Sequence, residues 1–69
     1  MTQKELLYVE DAIKHECNVI SIIKDIIERL ENDDLVDFME DMLESHKSMK
    51  DNLMNLMEDN INDWSTING

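Results

Sequence analysis

Residues 6–30 read LLYVEDAIKHECNVISIIKDIIERL, and the spacing of their apolar side chains decides the fold. Leu6, Val9, Ile13, Ile20, Ile23, Ile27 and Leu30 fall at alternating intervals of three and four residues or their sum, which keeps them on one side of an α-helix. With Leu6 as position a of a seven-residue repeat and Val9 as d, Ala12, Val19 and Ile26 occupy g and add a second apolar row beside the seam. A face made of a, d and g is wider than a two-stranded coil needs and suits a bundle of three or four helices. One seam position breaks the pattern, because Glu16 stands where an apolar residue belongs. A carboxylate in an isoleucine-rich stripe is costly to bury alone, so the stripe calls for a partner to it.

Upstream of this stretch, Thr2-Gln3-Lys4-Glu5 has the form of a capping box, with Thr2 as N-cap and Glu5 reaching back. The first helix is predicted from about Gln3 to about Glu31, roughly 40 Å long. Downstream, Asn32-Asp33-Asp34 is the one plausible break, since Asn and Asp cap a following helix and suit its N-terminus electrostatically. So short a connection forces the second helix, about Asp34 to about Asn60, to lie antiparallel beside the first. Its predicted seam is Leu35, Met39, Met42, His46, Met49, Leu53 and Leu56, with Val36, Leu43 and Met57 as a flanking row and Phe38 on the other side. The hairpin thus occupies residues 1–61. Residues 62–69 form a polar tail, in which Trp64 either frays with its neighbours or caps the open end of the bundle.

His46 is to the second seam what Glu16 is to the first. With the chain folded at residues 32–33, the two differ by about three residues of axial rise, roughly 4.5 Å, which long side chains close. One reading is a hydrogen-bonded Glu16–His46 pair in which each group relieves the other's desolvation and fixes helix register. The other is metal ligation, with two Glu16 and two His46 of a two-fold dimer converging on an interior site for Fe, Mn or Zn. The spacing itself favours the structural pair and demands no cofactor.

Composition bounds the function classes. A chain of 69 residues is a single small domain and is marginal alone, so dimerisation is expected. It has no Pro and one Gly, which disfavours an all-β fold. The net charge of −11 argues against nucleic acid and anionic membranes and favours basic partners or cations. The most apolar run, Val19 to Ile27, is short and carries Lys24 and Asp25, which excludes a transmembrane helix. Cys17 is the sole cysteine, and no charged leader with an apolar block precedes Thr2, so a reducing, cytoplasmic setting is expected. No nucleophile–base signature, phosphate loop, calcium loop or paired-cysteine motif is present, and no enzymatic activity is predicted. His15 and Glu44 are expected at the surface, Cys17 half-buried at e, and the methionines as adaptable core filler or as a face receiving a partner helix.

Lys4-Glu5-Leu6-Leu7-Tyr8-Val9-Glu10-Asp11-Ala12, then His15-Glu16 and Leu43-Glu44-Ser45-His46, resemble the spore coat protein F family. The resemblance covers most of residues 4–57 and implies a ferritin-like helical hairpin with a spore-associated role and no defined reaction. Ferritin-like di-iron halves present one Glu on the first helix and Glu-x-x-His on the second. Glu16 and His46 match, but Leu43 stands where the bridging Glu belongs, so the resemblance implies a mononuclear site or a packing relic.

The expectation is therefore an all-α, antiparallel two-helix hairpin that dimerises into a ferritin-like four-helix bundle. Its expected role is structural or interaction-based, in the manner of a spore coat-associated protein with coat or other protein partners. The alternatives are a metal-binding homodimer using Glu16 and His46, and a small acidic module that docks a basic or helical partner. Helical-hairpin sporulation phosphatases share the size and acidity, but their Ser-x-x-x-Asp motif belongs to the second helix and here occurs at Ser21 and Asp25 on the first.

Overall fold

A computed structural model describes the backbone of residues 1–68 and the side chains of residues 1–61. Two helices account for nearly all of it, α1 over Gln3–Arg29 and α2 over Asp33–Asn68, and no strand occurs among the described residues. The helices pack along each other in a rod of 53 × 15 × 13 Å. An α-helix rises about 1.5 Å per residue. The 36 residues of α2 therefore set the rod's length, and the 27-residue α1 falls short of it at the open end.

The capping box forms as predicted. The Glu5 N–H donates to the Thr2 hydroxyl at 3.1 Å, and the Thr2 N–H donates to Glu5 Oε1 at 2.8 Å. At the other end α1 stops at Arg29, two residues before the predicted Glu31. A cation suits the negative C-terminal end of the helix dipole, and a carboxylate such as Glu31 does not. Arg29 is paired with Asp25 one turn back at 3.3 Å. Leu30 leaves the helix in extended conformation.

The connection is Leu30-Glu31-Asn32, not Asn32-Asp33-Asp34. Asn32 Oδ1 accepts the Leu35 N–H at 3.0 Å, which makes Asn32 the N-cap of α2 and moves Asp33 and Asp34 into its first turn. There both carboxylates face the positive end of the dipole. This moves the chain reversal toward the N-terminus and changes the register, with consequences for the ionisable pair below.

The seam of α1 is as predicted: Leu6, Val9, Ile13, Glu16, Ile20, Ile23, Ile27 and Leu30 are all buried or half-buried. That of α2 is not. Its half-buried residues are Val36, Met39, Met42, Leu43, His46, Lys50, Leu53, Met57 and Asn60, while Leu35, Met49 and Leu56 are 51%, 42% and 45% exposed. Met39, His46 and Leu53 keep the seam, while the predicted flanking row of Val36, Leu43 and Met57 takes the place of Leu35, Met49 and Leu56. The structural seam of α2 is a = Val36, Leu43, Lys50, Met57 and d = Met39, His46, Leu53, Asn60. Leu35, Met42, Met49 and Leu56 are its g row. Both rows share one period, so apolar spacing fixed the stripe's pitch and left its phase open.

α2 also continues past the predicted end near Asn60 to Asn68. Nothing in the sequence stops it: no Pro or Gly occurs between Asp33 and Asn68, and Asn60 Nδ2 donates to the Leu56 carbonyl at 2.8 Å rather than terminating the helix. The expectation for Trp64 falls outside the described side chains.

Candidate functional site

The two ionisable seam residues meet. His46 Nδ1 donates to Glu16 Oε2 at 2.6 Å, the only side-chain hydrogen bond or ion pair between the helices among the described residues. Glu16 and His46 stand equally far from Arg29 and from Asp33, so the earlier chain reversal puts them level and removes the axial offset that the predicted turn implied. Both are d positions. Their side chains are 14% and 24% exposed, so the pair is partly shielded. No buried side-chain nitrogen or oxygen lacks a hydrogen-bond partner among the described residues.

The local sequence explains the placement. Ile20 and Ile23, at 7% and 3% exposed, are the buried side chains among the described residues, one and two seam steps toward the loop. They hold the helices together next to the pair and exclude water from one side of it. On the other side the seam passes Ile13 on α1 and Lys50 on α2, and Lys50 is half-buried. The sequence reading missed Lys50, because it placed Met49 in the seam. A lysine keeps its stem on apolar surface while its ammonium reaches water, so a seam position can hold it at the cost of local packing.

The remaining residues sort simply. His15 and Glu44 are exposed, as expected, and so is the acidic set Glu28, Glu31, Asp37, Glu40, Asp41, Asp51, Glu58 and Asp59. Cys17 is exposed rather than half-buried. Met39, Met42 and Met57 are core filler, but Met49 and Met54 are 42% and 49% exposed and fill nothing within the hairpin.

As a chemical device the pair is small. No group of three or more His, Cys, Asp or Glu side chains converges as a metal site among the described residues. One hairpin offers Glu16 and His46, two donors where a closed tetrahedral site needs four. With Nδ1 bound to a carboxylate, Nε2 is the ring nitrogen left to ligate. No described helix is long and apolar enough to cross a membrane. In comparisons with protein-family models, curated proteins and solved structures, no match to this chain was found.

Proposed function

We propose that this protein is a structural or interaction protein, not an enzyme, and that it works as a homodimer in which two hairpins form a four-helix bundle. The observation that carries this reading is exposed surface. The chain presents 5453 Å² to solvent, whereas a compact monomer of its 8.1 kDa would present about 4,500 Å². The excess, about 1,000 Å², is comparable to the ~800 Å² that one partner buries in a standard interface. The large apolar side chains left in water, among them Tyr8, Ile22, Phe38 and Leu56, say what kind of surface it is. A spore coat-associated role is the biological setting that the resemblance of residues 4–57 implies, and the lone Cys17 fits a reducing, cytoplasmic one. Multi-angle light scattering and sedimentation equilibrium test the reading. A dimer is expected, losing most of its helicity on dilution to monomer; a folded monomer at all concentrations overturns it.

A second reading rests on the His46–Glu16 contact, which leaves His46 Nε2 as the free ring nitrogen. In a dimer, two such pairs would double the donor count to that of a mononuclear Fe, Mn or Zn site. Elemental analysis of untagged protein, with melting measured in each ion, decides it. Metal-free protein that gains no thermal stability removes this reading.

A further inference from the structure

We infer that the second copy docks on one particular side of the hairpin, the side formed by the g and c rows of both helices; this rests on the homodimer reading. In an antiparallel pair of helices, like rows fall on the same side, since reversing a helix reverses the order of its rows. A groove lined by Glu10 of α1 and by Met54 and Ile61 of α2, all e positions, places the two e rows together on one side. The two g rows therefore lie together on the other. They hold Ala12, Val19 and Ile26 of α1 and Leu35, Met42, Met49 and Leu56 of α2. Ile22 and Phe38, at c, extend the same face and are 59% and 61% exposed.

Charge selects the occupant. The chain carries −11, yet between Glu5 at one end and Asp59 at the other neither the g nor the c rows contain a carboxylate. The carboxylates crowd onto b, e and f, as Glu10, Asp11, Asp25, Glu28, Asp37 and Asp41 illustrate. A basic partner would be drawn to those acidic rows, not to a face stripped of attracting charge. A second copy, equally acidic, can approach only where neither chain presents carboxylates, and it brings the same face in return, apolar along g and, at c, carrying His15 and Arg29 beside Tyr8, Ile22 and Phe38. Of the two seam rows, d lies nearer the g side, so this docking also covers the Glu16–His46 pair.

The test compares Met49→Glu, on the g side, with Met54→Glu, on the e side, by sedimentation equilibrium. Met49→Glu is expected to weaken the dimer by about tenfold or more in Kd, because it buries an unpaired charge. Met54→Glu is expected to leave it within about twofold, as rim substitutions do. Added salt should tighten the wild-type dimer by screening its self-repulsion, whereas a complex with a basic partner would loosen. Should Met49→Glu fail to fold, alkylation rates give the same answer. Native Cys17, at e, should react equally fast in dilute and concentrated protein. A thiol introduced by Met49→Cys with Cys17→Ser should be protected on concentration. If Met54→Glu breaks the dimer and Met49→Glu does not, or if Cys17 is the thiol protected, the face is wrong and the dimer stands. A wild-type chain that never dimerises overturns the homodimer reading itself.

Discussion

From the loop to the Glu16–His46 pair, the seam runs through Ile27, Ile23 and Ile20 of α1, with Val36, Met39 and Leu43 on α2. From the pair to the open end it runs through Ile13, Val9 and Leu6, with Lys50, Leu53 and Met57. The two halves share one repeat and one register. Among the described residues only the loop half contains buried side chains, Ile20 and Ile23, whereas every seam residue of the open half named above is half-exposed. A three-residue connection joins the helices at the loop end, and the open end has no such chain link. A lysine in the open seam adds a charged head that must reach water. The difference teaches that the ionisable layer marks where the fully buried part of this hairpin's seam ends among the described residues.

The largest expected effect breaks the loop half. Ile23→Ala should cost about 3 kcal/mol in urea denaturation at fixed protein concentration, against about 1 kcal/mol for Val9→Ala. Equal losses would mean that the two halves carry the fold alike. Next comes the boundary. Glu16→Gln and His46→Gln should each cost about 1–3 kcal/mol, and the double variant clearly less than their sum, as for residues in contact. Additive losses would show that the pair does not couple the helices in solution. Third, Lys50→Leu should stabilise by about 1 kcal/mol, by letting the open seam close on an apolar side chain. A neutral or destabilising result would make Lys50 more than a tolerated interruption.

The smallest effect belongs to the cap at the open end. The Thr2 N–H, and after it the Thr2 hydroxyl, hold the Glu5 carboxyl below its ordinary value of 4.5. A carboxyl depressed in the folded state stabilises fully above its unfolded value and loses that contribution as pH falls through the lowered one. Amide exchange in the first turn of α1, corrected for intrinsic rates, should therefore rise below pH 4.5 while the loop half stays protected. Glu5→Gln, which removes the titrating group, should abolish that rise. A first turn whose protection ignores pH would leave the cap without a role.

Much of this was legible in the residues, because the relevant interactions are local. Thr2 and Glu5 are three residues apart and find each other within one turn. The phase of α1 was readable because one row of its repeat is almost wholly apolar, with Glu16 the single exception. The meeting of Glu16 and His46 was legible as well, since each is the odd residue of its stripe. The exact turn was less so: Asn, Asp and Asp are all good capping residues, and the backbone's choice of Asn32 depends on where α1 ends.

By itself, then, the sequence determined two amphipathic helices, the capped start of the first, the antiparallel return and the identity of the ionisable pair. Each of these follows from side chains one turn apart or from a stripe's period. Which row of α2 turns inward was decided only by tertiary structure. Leu35, Met42, Met49 and Leu56 repeat with the same period as Val36, Leu43, Lys50 and Met57 and are on average the more apolar. Periodicity cannot choose between adjacent rows of equal pitch, whereas the position of a neighbouring helix can. α1 takes the row that contains a lysine and leaves Leu35, Met49 and Leu56 of the other largely in water, where the next hairpin would find them.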